Sequence, residues 1–431
     1  MKREETLPFI QHPIKAELIV PGSKSIINRV LLIAALTSGF STIKNISNGD
    51  DVLVTINALR QLGINLIHKK DKKEIIIQGC SGSFPQKNTS IFCGDSGILT
   101  RFIVPLCAAQ RHGGCYHISA SRTMMSRPIK PLFSALKMLD IQTRCLNSRR
   151  DSLPIMINST GLSSYQNVEV DCSETSQFLS SLMVSSPLIN NGLILHSNLS
   201  IMHQPYVKMT IKILSIFGIL VDVLENHLYR IKPNQIYRAR NYTVEPDLST
   251  ASYFWALAPI THGCIKVQGV HQNTLQGDIE FLNILKLMGC RIFADQSGIS
   301  VACYEQIKGV RVNMRCCSDT FMTVAVIAAF AKGETHISGI SHTRFQESNR
   351  INAMSDGFMR VGVKVATTTD SIHIYPQHSR LHPGTIDGCG DHRIVMAFSL
   401  LSLRKPGIVI SGTHAASKTC PDYFEMMKKI V

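Results

Sequence analysis

The run Pro21-Gly22-Ser23-Lys24-Ser25-Ile26-Ile27-Asn28-Arg29 sets two cations and two hydroxyls around a tight Pro-Gly turn, directly before an apolar stretch from Val30 to Leu36. That order of residues predicts the start of a helix. Unsatisfied N–H groups of the first turn, the positive end of the helix dipole and the side chains of Lys24 and Arg29 can then converge on one carboxylate or phosphate. Ordinary capping by Ser23 or Ser25 explains the same letters. The run is neither a Walker loop nor the Gly-x-Gly-x-x-Gly dinucleotide pattern.

Similar polar groups stand at other predicted helix starts. Gly94-Asp-Ser-Gly97 is followed by Arg101, and its glycines would let a ligand approach the backbone. Ser121-Arg-Thr-Met-Met-Ser-Arg127-Pro128 places two arginines in a loop before a helix near Pro131. Arginine suits carboxylate and phosphate because its planar fork donates two parallel hydrogen bonds. Thr175-Ser176-Gln177 opens a helix with two hydroxyls and an amide, either as a cap or as a cradle for phosphate oxygens. In the second half, Asp319 precedes an apolar helix from Phe321 to Phe330, where capping is its plain role. Arg344-Phe-Gln-Glu347-Ser-Asn-Arg350 and Gly390-Asp-His-Arg393 bring acid and base together, a pattern that surface ion pairs also produce. Lys418-Thr-Cys-Pro-Asp422 precedes the last helix. Helix starts of this kind, aimed at one cleft, would form a positive site for a polyanion.

The elements that must position these groups recur. Five helical stretches end at Gly63, Asp140, Gly218, Gly289 and Gly362, and each is followed at once by a β-branched run. Gly and Asp accept the left-handed backbone at a helix C-terminus. The spacings are 77, 78, 71 and 73 residues, and a sixth copy would run into the C-terminus at Tyr423–Val431. A period longer than the roughly 20 to 50 residues of solenoid repeats predicts small α/β subdomains. Three per domain would place a boundary near Tyr242–Asp247, where Pro246 interrupts regular structure.

Composition bounds the class. The chain has 431 residues, 44% hydrophobic and 17% charged, enough for two cores. No apolar run reaches the roughly 18 to 20 residues of a membrane span, and the start lacks the apolar stretch of a secretory signal, which predicts a cytoplasmic protein. Thirteen cysteines, scattered apart from Cys316 and Cys317, read as reduced core residues, with no metal-ligand spacing. A net charge of +15 is spread along the chain, and its densest patch, Lys69 to Lys73, reads as a solvated turn. This favours small anionic substrates over nucleic acid, since basic residues interleaved with exposed aromatics are missing.

Taken together, the Lys24 run, Arg127-Pro, Ser176-Gln-Phe, Gln276-Gly-Asp278, Glu347-Ser-Asn-Arg350 and Asp391-His-Arg393 resemble the enolpyruvyl transferases, nearly end to end. The resemblance implies an α/β, two-domain enolpyruvyl transferase fold with three βαβαββ units per domain, an inside-out α/β barrel, and the active site in the interdomain cleft. It places one domain at 23–244 and the other at 1–22 plus 245–431. It implies transfer of the enolpyruvyl group of phosphoenolpyruvate to the 5-hydroxyl of shikimate 3-phosphate by addition and elimination, without metal or cofactor. With no heptad or extended apolar patch in the sequence, a monomer is the default expectation.

The same resemblance assigns roles. Lys24, Asp319 and Glu347 are catalytic; Lys24, Gly97, Arg127, Gln177, Arg350, Arg393 and Lys418 hold phosphoenolpyruvate. Lys24, Ser25, Arg29, Thr175, Ser176, Gln177, His203, Asp319, His342 and Gln346 hold the acceptor, with Tyr206 close by. Departures from the family pattern fall on the acceptor side: Ile27, Asp95, Ile98, His203, His342 and Gln346. They leave open another phosphorylated acceptor, such as a nucleotide. The branch with a reactive loop cysteine is disfavoured, because Arg122-Thr-Met-Met-Ser126 contains none and Cys115 lies upstream in a strand-like run.

Overall fold

The structure is a computed structural model and describes residues 3–141, 143–147, 151–159, 167–189, 191–225, 227–376 and 379–431. It divides into two compact units, Gly22–Val244 and Met1–Pro21 with Glu245–Val431. The first crossing thus falls one residue before the boundary placed at 22/23.

The described residues of Gly22–Val244 form three four-stranded sheets. In one, Asn88–Phe92 lies parallel to Gly114–Ser119, which pairs antiparallel with Ile155–Ser159, and that strand with Thr143–Cys145. A parallel pair needs a crossover, supplied here by helix Gly97–Ala108; helix Lys130–Met138 then leads into the hairpin. The order is βαβαββ. Asn167–Val170, Leu193–Ser197, Leu228–Ile231 and Val221–Glu225 repeat it around helices Gln177–Ser185 and Pro205–Ile216. In the remaining sheet the first strand is borrowed: Asn241–Thr243, from the end of the unit, lies parallel to Ser38–Lys44, which continues through Glu74–Cys80 and Leu66–Lys69.

The other unit follows the same plan. Lys15–Leu18 pairs parallel with Cys264–Gln268, followed by Gly298–Ala302 and Arg291–Asp295. Arg311–Asn313, Thr335–Ser338, Ile372–Ile374 and Val365–Thr367 make the second sheet. In the third, Gly384–Asp387 and Ile408–Ser411 are parallel, and the antiparallel place is taken by Glu4–Glu5. The sixth copy carries helix Tyr423–Ile430, and its antiparallel strand is supplied by the N-terminal segment.

Helix burial explains where the polar groups end up. Four of the first helices are covered throughout: every residue of Gly97–Ala108, Leu248–Trp255, Phe321–Ala328 and His392–Ser402 is buried. A helix without a polar face belongs inside a core. Phe321–Ala328 stops two residues short of the predicted Phe330. Gly97–Ala108 packs on Gln177–Ser185 and Lys24–Leu36, and His392–Ser402 packs on Phe321–Ala328 and Leu248–Trp255. Their charged groups lie in the first two turns, as Arg101 and Arg393 do. The second helices, such as Arg350–Arg360, keep an exposed face.

The second helices all stop in the same way. Gly63, Asp140, Gly218, Gly289 and Gly362 have φ of 81°, 56°, 89°, 107° and 79°. A Cβ on Gly289 would meet nothing within 4 Å, so only backbone conformation selects glycine there. Gly289→Ala should lower unfolding free energy by about 1 kcal/mol, whereas Asp140→Gly should change it by no more than about 0.5 kcal/mol. Urea denaturation of both variants checks this, and equal effects at the two sites would refute it.

Candidate functional site

In the unit Gly22–Val244, Lys24 is the first residue of helix Lys24–Leu36, and its Nζ lies 3.1 Å from Asp51 Oδ2. Asp51 sits in the first turn of helix Asp50–Gln61. One turn further, Thr55 Oγ1 donates to Asn28 Oδ1, so the two helices are joined by polar pairs at i and i+4. Ser23 occupies the capping position but makes no side-chain cap bond. Arg29 folds back toward the helix start, its Nη1 donating to the Ser25 carbonyl at 2.9 Å and its Nε to Thr210 Oγ1 at 2.8 Å. It is 1% exposed and lies over the rings of Phe102 and Tyr206. Burial lowers its pKa to about 10, which leaves it charged at neutral pH.

Gly97 begins helix Gly97–Ala108, capped by Ser96, whose Oγ accepts from Leu99 N. A Cβ at position 97 would lie 2.8 Å from Arg127 Nη1, so glycine is what lets that guanidinium lie across the helix start. Asp95 accepts a hydrogen bond from Ser121 Oγ, linking the Gly94–Gly97 turn to the arginine loop. Gln177 is held by Arg101, whose Nη1 donates to its Oε1 at 2.7 Å while Nη2 donates to the Pro128 carbonyl at 3.1 Å. Thr175 Oγ1 accepts from Gln177 N, and Ser176 makes no side-chain cap. The side chain of His203 lies outside the described residues; its backbone is in the turn Ile201–His203.

The other unit gathers its predicted residues into one ion-pair ladder. Arg350 Nη1 is 3.0 Å from Asp319 Oδ1, Nη2 is 2.8 Å from Glu347 Oε2, and Nε is 2.8 Å from Asp391 Oδ2. Arg350 Nη1 also donates to Gln346 Oε1. Arg393 Nη2 reaches the second oxygen of Asp319 at 2.9 Å, and Lys418 Nζ the second oxygen of Glu347 at 3.2 Å. The order is Arg393, Asp319, Arg350, Glu347, Lys418, alternating in sign. Asp391 fastens it from behind: it accepts from Arg350, from Ser348 Oγ and from Arg393 N, capping helix His392–Ser402.

The centre of the ladder is buried, and its acids Asp319 and Glu347 and its Lys418 are partly so, contrary to the surface ion pairs that the sequence also allowed. Arg350 is 1% and Asp391 0% exposed. Burial alone would weaken the Arg350 charge, but Asp391, Glu347 and Asp319 outweigh it, and its pKa lies above the ordinary value. Asp319 does not cap a helix; both of its oxygens face guanidinium groups. His342 joins through its neighbour, with Nε2 2.8 Å from Ser318 Oγ. Burial, then the charge of Arg315, pushes the His342 pKa down to about 4. Its Nδ1 is buried without a hydrogen-bond partner, which suits a bare nitrogen and not a second N–H.

Sequence reasoning missed Asp51 for Lys24, Thr210 for Arg29 and Ser318 for His342; it named Arg101 and Asp391 without their partners Gln177 and Arg350. The signal that marked those two was a charged residue beside or inside a mostly apolar helix. Among the described residues no group of three or more His, Cys, Asp or Glu could hold a metal ion, and no helix is long and apolar enough to cross a membrane. The cysteines are free, and Cys389 is exposed rather than in a core.

Asp391→Ala strands Arg350 and removes the cap of His392–Ser402, so it should cost roughly 3–5 kcal/mol in urea unfolding; a loss below 1 kcal/mol would show that the ladder holds without it. His342, with a folded pKa of about 4 against an ordinary 6.5, contributes stability at neutral pH that is lost as pH falls through that window. His342→Gln should flatten the stability curve between pH 6.5 and 4, and an unchanged slope would refute the assignment.

A family model described as EPSP synthase (3-phosphoshikimate 1-carboxyvinyltransferase) matches residues 9–427. Relatives named 3-phosphoshikimate 1-carboxyvinyltransferase include one from Trichormus variabilis, 34% identical over 425 residues, covering 99% of this chain and 98% of the relative. Another, from Vibrio atlanticus, is 36% identical over 430 residues, covering 99% of both. Among solved structures, EPSP synthase from Acinetobacter baumannii superposes with a TM-score of 0.83 at 22% identity, covering 100% of this chain and 98% of that one. The enolpyruvyl transferase NikO from Streptomyces tendae gives a TM-score of 0.74 at 14% identity, covering 99% and 96%. These two show the same α/β fold, and the full-length sequence match shows that the chain belongs to the EPSP synthase (3-phosphoshikimate 1-carboxyvinyltransferase) family.

Proposed function

We propose that the chain transfers the enolpyruvyl group of phosphoenolpyruvate to the 5-hydroxyl of shikimate 3-phosphate and releases phosphate. The observation that carries this reading is the ladder of Arg393, Asp319, Arg350, Glu347 and Lys418 in a chain related over its whole length to enzymes of that name. The acceptor oxygen bonds to the enol carbon while the methylene takes a proton, giving a ketal. Loss of a methyl proton and cleavage of the bond to phosphate restore the double bond. Such steps need groups that give and take protons, and fixed positive charge near the phosphate and carboxylate.

In this reading Asp319 serves the acceptor hydroxyl and Glu347 the methylene. Each carboxylate has one oxygen on Arg350 and the other on a second cation. When an anionic substrate draws Arg393 and Lys418 to itself, Asp319 and Glu347 lose part of the positive charge that keeps them ionised, so their proton affinity rises. Substrate binding thereby readies the acids. Arg127, Gly97 and Gln177 accompany Lys24 on the phosphoenolpyruvate side, and Ser25, Arg29, Thr175, Ser176, His203, His342 and Gln346 on the acceptor side. The chemistry is proton transfer and charge stabilisation and calls for no metal or organic cofactor. We read the enzyme as a cytoplasmic monomer. Against another phosphorylated acceptor stands the full-length similarity to relatives with the 3-phosphoshikimate name.

Phosphate release from phosphoenolpyruvate, measured with shikimate 3-phosphate and in parallel with other phosphorylated alcohols and nucleotides, tests the reading. Turnover is expected with shikimate 3-phosphate, and turnover with a different acceptor alone would overturn it. Glu347→Gln and Lys24→Met should each cut turnover by at least about a hundredfold, the low end of the roughly 10²- to 10⁴-fold contribution of a positioned proton-transfer group.

A further inference from the structure

Asp278 lies in the turn Gly277–Ile279 ahead of helix Glu280–Leu287 and is 6% exposed. Its carboxyl accepts a hydrogen bond from Ser249 Oγ, and among the described residues no Lys, Arg or His forms an ion pair with it. Burying an ionised carboxylate with one hydroxyl as its hydrogen-bond partner and no ion pair is costly, and it favours the protonated form.

The surroundings sharpen this. Asp247 faces Asp278 from the start of helix Leu248–Trp255, Cys317 and Asp319 from the turn Arg315–Thr320, and Arg393 from helix His392–Ser402; Glu280 lies nearby on its own helix. The adjoining ladder already sets Asp319, Glu347 and Asp391 against Arg350, Arg393 and Lys418. Another negative charge would tip it against anionic substrates. Burial first, then the charge of Asp319, raises the Asp278 pKa to about 7, with Arg393 and Ser249 pulling the other way.

We propose that Asp278 is a positioning residue that keeps its proton in the resting enzyme, and by staying neutral leaves Asp319 as the ionised carboxylate between Arg350 and Arg393. The inference rests on the reading of Asp319 as a proton-transfer group. Ionisation of Asp278 places a second charge behind Asp319, raises the proton affinity of Asp319 and weakens the hold on anionic substrates.

Stability gives a test that needs no activity. A carboxyl with higher proton affinity in the folded than in the unfolded chain supports folding at low pH and loses that support as pH rises from about 4 through about 7. Asp278→Asn has the same shape and no charge. Its Tm relative to wild type should rise by at least about 2 °C between pH 5 and pH 8, and a difference that does not change with pH overturns the proposal. On activity, kcat/KM of the wild type should bend downward above pH 7 and that of Asp278→Asn should not; superimposable profiles also overturn it. If Asp278→Asn does not fold, Ser249→Ala removes the one hydrogen bond to the carboxylate and should carry the loss of stability to higher pH, and an unchanged course overturns the proposal. Tm behaviour as expected without any phosphate release would instead sink the functional reading alone.

Discussion

Arg350 is the point on which the unit of Glu245–Val431 turns. Removing one guanidinium from water costs several kcal/mol even after relaxation, and only complete use of its planar fork offsets that. Here the use is complete: Nε goes to Asp391, Nη1 to Asp319 and Gln346, and Nη2 to Glu347 and Asp391. The three acids come from a turn before helix Phe321–Ala328, a loop before Arg350–Arg360 and the cap of His392–Ser402. One buried charge thus registers three segments that are distant in sequence. Helices Phe321–Ala328 and His392–Ser402 are buried on every side, and so their starts are delivered to the same place.

What could be read from the sequence follows from the range of the interactions. The stops at Gly63, Asp140, Gly218, Gly289 and Gly362 were legible because a left-handed residue after an apolar stripe is a local event, and all five have positive φ. The helix starts at Lys24, Gly97 and Gln177 were legible for the same reason. The borrowed strands were not. Asn241–Thr243 beside Ser38–Lys44, and Glu4–Glu5 beside Ile408–Ser411, are pairings across nearly a whole unit, and no local pattern encodes them.

The candidate residues were legible as types and not as partners. Lysines and arginines at helix starts were read as reaching for an anionic ligand, because without coordinates the acids were placed on the surface or in caps. In the structure Lys24 rests on Asp51, and Lys418 and Arg393 rest on Glu347 and Asp319. Nothing in the letters around Lys24 names Asp51, because that contact depends on the packing of helix Asp50–Gln61 against Lys24–Leu36. Family resemblance supplied which residues to watch, and packing supplied what holds them.

Arg29 shows how the two halves of the chain differ electrostatically. Arg350 is matched by carboxylates on every side, whereas Arg29 is equally covered yet makes its hydrogen bonds to a hydroxyl and a carbonyl and lies over two aromatic rings. Ring faces and neutral oxygens attract a cation more weakly than a carboxylate does, and the lowered pKa of Arg29 expresses that shortfall. The shortfall weighs against stability in the empty protein. An anion arriving beside Ser25 would find a cation whose charge is not already cancelled, so part of the desolvation cost carried by the fold is returned as affinity. On the Arg350 side the charge is already matched by Asp319, Glu347 and Asp391, so an anion there would have to compete with carboxylates already in place.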